Sequence, residues 1–166
     1  VLISHDSTQD SVAMQTTQRT SGGTGSWRAQ DALSRPSRLS KLLSRLGFGA
    51  APIGNLYAEV GEDDAQAALV AAWKGGIRYF DTAPYYGHGL SESRLGRAFA
   101  VWPRDSYAVS TKVGRRIEVD VTRTARINDG FAVSGTRAVF DYSADGVLRS
   151  FEASLQRLGV ERVDAL

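Results

Sequence analysis

Gly76-Ile77-Arg78-Tyr79-Phe80-Asp81-Thr82-Ala83-Pro84-Tyr85-Tyr86-Gly87 decides how the rest of the chain is read. Residues 77–81 form a short run rich in β-branched and aromatic side chains, which predicts a strand. The run ends on Asp81, and a turn-rich stretch containing Pro84 and Gly87 follows. In parallel β/α architectures, binding sites form at the C-terminal ends of the strands. A carboxylate at that place either belongs to a site or merely caps the loop. Tyr85 and Tyr86 arrive in the same loop, where a tyrosine either packs or donates a proton. An ordinary tyrosine pKa near 10 is too high for efficient proton transfer at neutral pH unless a cation lowers it.

Working outward, Lys112 supplies that cation. It lies near the end of the next β-rich run, Tyr107-Ala108-Val109-Ser110-Thr111-Lys112-Val113. A lysine on an interior parallel strand is costly unless paired. An ion pair with Asp81 on the neighbouring strand removes that cost and leaves Lys112 near the Tyr86 hydroxyl. The alternative is a solvated lysine at a strand end.

The flanking segments alternate. Gly47-Phe48-Gly49 reads as a strand with a glycine-rich exit through Ala50, Ala51, Pro52 and Gly54. Residues 62–74 read as a helix: Asp63 and Asp64 suit its N-terminus, Ala65, Leu69 and Trp73 recur at helical spacing, and Gly75-Gly76 stop it. Ser91 is predicted to cap a second helix, with Leu95, Ala98, Phe99 and Trp102 on one face and Pro103 beyond its end. Residues 114–142 show no clean period. A third helix is predicted from about Ala144 to Leu158, its apolar stripe formed by Val147, Leu148, Phe151, Leu155 and Leu158. Val163-Asp164-Ala165-Leu166 reads as a fourth strand. This order predicts parallel β/α units, in an open doubly wound sheet or in part of a (β/α)8 barrel. A whole barrel takes roughly 200–250 residues and eight strands, so four strands and three helices amount to a partial TIM barrel.

Composition narrows the function classes. The 166 residues are 42% hydrophobic and 23% charged, with a net charge of +2, which suits a globular fold rather than a nucleic-acid binder with a basic stripe. There is no cysteine and there are two histidines, so thiol chemistry and Cys- or His-rich metal sites are excluded, and no metal is expected. No apolar run approaches the ~18–20 residues of a membrane span, so neither membrane nor nucleic acid is an expected partner, and a cytoplasmic location is expected. Residues 1–40 are rich in Ser, Thr and Gln and have no apolar period, which predicts a disordered extension ahead of the folded part at 41–166. The Gly47-Phe48-Gly49 run resembles the start of a dinucleotide fingerprint, but Pro52 stands where a third glycine is needed, so it reads as a tight turn.

Taken together, Leu46-Gly47-Phe48-Gly49, the 76–87 stretch, Leu90-Ser91-Glu92-Ser93-Arg94-Leu95-Gly96, Ser110-Thr111-Lys112-Val113-Gly114 and residues 140–159 resemble the aldo-keto reductase superfamily. The resemblance covers roughly 41–166 and looks most like the N-terminal half of its bacterial aldose or fucose 1-dehydrogenase-like branch. It implies a (β/α)8 barrel that uses NADP or NAD without a dinucleotide-binding sheet. It implies Asp81, Tyr86 and Lys112 as three members of a catalytic Asp–Tyr–Lys–His tetrad, with the histidine expected beyond Leu166. His88, in the Tyr86 loop, reads as a polar loop residue instead. By the same carry-over Gly49 and Ala50 lie on the cofactor side, and Tyr85 borders the substrate pocket. The implied chemistry moves a hydride between nicotinamide and a carbonyl or hemiacetal carbon, with a small aldehyde, ketone or aldose as substrate. A half barrel is also expected to self-associate through its edges and to be inactive alone. Two alternatives remain: a non-catalytic remnant or binding module on that scaffold, and a doubly wound nucleotide-binding domain.

Overall fold

The structure is a computed structural model describing the backbone of Leu2–Ser4 and residues 46–125, 130–131 and 133–166. Strands β2 (Leu46–Gly49), β3 (Tyr79–Asp81) and β4 (Ala108–Ser110) lie side by side and parallel. Helices α1 (Glu62–Lys74) and α2 (Leu90–Phe99) make the crossovers, and α3 (Ala144–Leu158) follows. Each strand pairs with the one before it in the chain, with no reversal of order. A doubly wound sheet reverses at a switch point, so the observed succession is that of a barrel wall.

The fourth expected parallel strand is present only as a single bridge, Ser110 with Ala165. Asp164 N–H donates to the Val109 carbonyl (2.8 Å) and Thr111 N–H to that of Ala165 (3.3 Å). The other edge, at β2, carries β1 (Leu2–Ser4), antiparallel, with Leu2 opposite Phe48. An open edge offers unpaired N–H and C=O groups with which a backbone in register can pair. The rest of the predicted disordered segment lies outside the described residues.

The strands are short, and one row of side chains carries the core. Phe48, Phe80 and Val109 are neighbours in register and buried. Phe80 is fully buried, with ring centroids at 5.7 Å from Phe99, 5.5 Å from Trp102 and 6.0 Å from Phe48. Alternation along a strand then sends the next residues, Gly49, Asp81 and Ser110, to the opposite face.

Two expectations are corrected. Ser91 does not cap α2: Gly89 holds that position, with Ser91 inside the first turn. The apolar stripe assigned to α3 is only part of its packed face: Leu158 is buried and Val147, Phe151 and Leu155 are half-buried, but Leu148 is exposed, and Gly146, Ser150 and Ser154 are buried as well. The reason is a close helix–helix approach, in which a Cβ on Gly96 of α2 would come within 2.5 Å of the Arg157 carbonyl oxygen. Gly96→Ala should therefore destabilise by about 1–3 kcal/mol through overpacking, although alanine gains about 1 kcal/mol of helix propensity. The urea midpoint of the variant measures this, and a stabilised variant would contradict the close approach.

Finally, residues 114–142 contain an antiparallel hairpin, β5 (Arg115–Val119) with β6 (Thr136–Phe140). Among the described residues no helix is long and apolar enough to cross a membrane.

Candidate active site

Asp81 closes β3 and stands opposite Ser110, the last residue of β4. Ser110 Oγ donates to Asp81 Oδ1 at 2.6 Å, and Lys112 Nζ donates to Asp81 Oδ2 at 2.8 Å. Both carboxylate oxygens are thus committed. The Tyr79 hydroxyl lies 2.9 Å from Ser110 Oγ, so with Ser110 donating to Asp81, Tyr79 donates to Ser110. Lys112 also donates to the Thr82 carbonyl at 2.9 Å, and its Nζ lies 5.1 Å from the centroid of the Tyr86 ring. The predicted carboxylate, phenol and ammonium therefore meet at one rim of the sheet. Lys112 lies two residues past the end of β4 rather than on it, half-exposed.

Burial by itself would lower the Lys112 pKa. The hydrogen bond and charge of Asp81, followed by the charge of and hydrogen bond to Tyr86, outweigh burial and raise it above 10.5. A raised lysine pKa contributes stability that is complete below the unfolded value and is lost as pH climbs through the folded one. The stability difference between wild type and Lys112→Met should accordingly stay flat from neutral pH up to 10.5 and shrink above it. Urea titrations of both proteins across that range check the sign, and a difference already shrinking near neutrality would contradict it.

The first turn of α2 ties the three strand ends together. Ser91 Oγ donates to the Ala50 carbonyl (2.8 Å) and lies 2.9 Å from Thr82 Oγ1. Fully buried Glu92 accepts from Thr111 Oγ1 (2.7 Å) and from Arg157 Nε (2.6 Å). These contacts fix the exits of β2, β3 and β4 relative to one another. Nearly buried Arg94 donates to the carbonyls of Ile53 (2.7 Å) and Val60 (2.8 Å), to Asn55 Oδ1 and to Glu62, pinning the loop after β2. Burial alone would raise the Glu62 pKa, but hydrogen bonds from Arg94, Arg97 and Gln66 hold it below the usual carboxylate value. That loop approaches the tyrosine loop closely: a Cβ on Gly54 would meet the Tyr86 backbone at 2.8 Å.

Tyr85 and Tyr86 line a cavity of about 300 Å³ together with Ala83, Pro84, Lys112, Val113, Arg115 and Tyr142. Phe131 reaches back from the segment between the hairpin strands. Its ring centroid lies 5.6 Å from Tyr86, stacked, and 5.4 Å from Tyr85, edge on. Sequence reasoning missed Phe131, Ser110, Arg115, Glu92 and Thr111. Only Ser110 carried a usable signal, its place beside Asp81 once the strands are aligned.

The remaining candidates fall outside this cluster. His88, at φ 49°, places Nδ1 2.8 Å from Thr136 Oγ1, which makes it a polar link between the tyrosine loop and β6. Gly49 pairs with Asp81 in register. Ala50 is fully buried, with its N–H given to the Asp81 carbonyl and its carbonyl accepting from Ser91. Ala50 can bear on a cofactor only through the loop shape it sets.

The arrangement has recognisable relatives. The sequence profile of the Aldo/keto reductase family matches residues 45–166. D-threo-aldose 1-dehydrogenase of a Pseudomonas species is 44% identical over 125 residues, which are 73% of this chain and 38% of that protein. Pyridoxal 4-dehydrogenase of Microbacterium luteolum is 43% identical over 140 residues, 78% of this chain and 40% of that protein. The chain thus spans about two-fifths of the length of these curated relatives. Among solved structures, the glycerol dehydrogenase of Gluconobacter oxydans superposes with a TM-score of 0.55 at 30% identity, covering 71% of this chain and 33% of that one. Its fold is a TIM barrel, and the parallel strands described above are part of such a wall. A profile that spans the whole described β/α body, including the strand ends where Asp81 and Lys112 meet, makes the chain a member of the Aldo/keto reductase family.

Proposed function

We propose that this chain carries the proton-transfer side of an NAD(P)-dependent oxidoreductase site, acting on the carbonyl carbon of an aldehyde or ketone or on the hemiacetal carbon of an aldose. The single observation that carries the reading is the contact of Lys112 Nζ with Asp81 (2.8 Å) beside the Tyr86 ring. The names of the two curated relatives, an aldose and a pyridoxal dehydrogenase, support a small oxygenated carbonyl compound as substrate.

The cavity of about 300 Å³ has room for a ring-sized group beside a small substrate but not for a whole dinucleotide. Its tyrosine and lysine lining suits a planar polar ring, so the residues fit the nicotinamide end of NADP or NAD. Gly49 and Ala50 remain candidates on the cofactor side. When bound, the nicotinamide supplies or accepts the hydride.

The chain's own residues handle the proton. In reduction, the Tyr86 hydroxyl gives its proton to the oxygen of the carbonyl as that oxygen gains charge; in oxidation, Tyr86 takes the proton back. Lys112 supplies positive charge beside that exchange, and Asp81 keeps Lys112 protonated and aimed. Ser110 and Tyr79 hold Asp81 from behind. Phe131 stacks on one face of the Tyr86 ring and Tyr85 packs edge-on against Phe131, which holds the Tyr86 ring in place.

We further propose that turnover needs the remainder of a barrel, as in relatives more than twice the matched length. The test is a chimera in which residues 45–166 replace the stretch they match in the Pseudomonas aldose dehydrogenase. The chimera should oxidise an aldose with NAD(P), while the 166-residue chain alone should not. A folded chimera without turnover, or full rates from the chain alone, would overturn the reading.

A further inference from the structure

Arg115 opens β5 at the wall of the tyrosine cavity. Its guanidinium carbon lies 4.4 Å from the Tyr85 ring centroid and 4.6 Å from that of Phe140, its cross-strand partner. Among the described residues it pairs with no carboxylate. The nearby acids are engaged elsewhere: Glu118 by Arg116 and Arg137, Asp141 by Arg116 and Arg149, and Asp145 by Arg149. Lys112 is already paired with Asp81. Among the described residues of the cavity lining, Arg115 therefore contributes the positive charge that no carboxylate pairs.

Its chemistry defines what it can hold. Two ring faces contact the guanidinium through its carbon, which leaves the N–H edge as the hydrogen-bonding surface. That edge is a rigid planar fork, which matches a planar carboxylate in a bidentate pair. We propose that Arg115 is a specificity-determining residue selecting aldehydes or aldoses that carry a carboxylate away from the reacting carbon, the uronic-acid class. The proposal rests on the reading of this cavity as the carbonyl site, and it goes further by naming the substituent.

The experiment measures binding of D-galacturonate and D-galactose by calorimetry to the chimeric barrel that carries residues 45–166. The two probes differ only in a carboxylate against a hydroxymethyl group. Galacturonate should bind about ten- to hundredfold tighter, the range of a charge-assisted pair. Arg115→Leu should erase that preference, read as the ratio of the two affinities, while Arg115→Lys, which keeps charge without the fork, should retain part of it. If Arg115→Leu does not fold by circular dichroism, the loss is read from Arg115→Gln. Equal binding of the two sugars by the unsubstituted chimera, or a preference that survives the loss of the guanidinium, overturns the subsite alone. Binding of neither sugar overturns the subsite and the carbonyl-site reading together.

Discussion

Tyr86→Phe, introduced into the chimeric barrel, should lose about 10²–10⁴-fold in turnover, the usual worth of a positioned acid–base group. The substitution removes one oxygen and keeps the ring that stacks on Phe131 and lies over Lys112. Packing is preserved, so the loss should fall on kcat with KM nearly unchanged. Steady-state rates of the two proteins under matched conditions measure it. A Tyr86→Phe barrel within about twofold of its parent would show that the proton comes from elsewhere, since one lost acid–base group is worth far more. Tyr85→Phe is the matching control: Tyr85 borders the cavity without the Lys112 contact and should leave kcat far less changed.

Glu92→Ala should cost about 3 kcal/mol of stability, the lower end of the ~3–5 kcal/mol lost when one partner of a buried ion pair is removed. Glu92 is fully buried between Thr111 and Arg157. Its loss strands a Thr111 hydroxyl that is itself buried, while Arg157, partly exposed, can regain water. Glu92→Gln keeps an acceptor for Thr111 and should lose less. Chemical denaturation of the chain ranks the three proteins, and an alanine variant as stable as wild type would contradict the buried pair. Because Thr111 directly precedes Lys112, the alanine change should also loosen the Lys112–Asp81 contact.

Asp81 and Lys112 were legible in the sequence because a charged residue at the end of a parallel strand has few places to go. Once the two strands are neighbours, their ends bring the two charges together, although Lys112 lies past its strand and is half-exposed, so burial cost was the weaker ground and strand order the stronger. The helix over 62–74 was legible for a similar local reason, since its acidic start and glycine stop both lie within a few residues. The β5–β6 hairpin was not. Its strands are half-exposed on both faces and lack the alternation that marks a strand with one buried side. Charged pairs across the strands, such as Glu118 with Arg137, take the place of apolar ones. Ser91 misled because a hydroxyl near a helix start ordinarily caps it, whereas here it reaches the ends of two strands. Part of the packed face of α3 was hidden because small residues, not large ones, permit close contact with α2. Phe131 lay beyond reach because its contact with the tyrosines depends on how a segment without period folds back.

The most direct measurement follows the hydride itself. The chimeric barrel is given an aldehyde and a reduced nicotinamide cofactor carrying deuterium at the transferring position, and the product alcohol is examined by mass spectrometry. Deuterium on the former carbonyl carbon, lost with Tyr86→Phe, is the result this account expects. A folded chimera that yields no labelled alcohol, or one that labels it equally well without the Tyr86 hydroxyl, would contradict it.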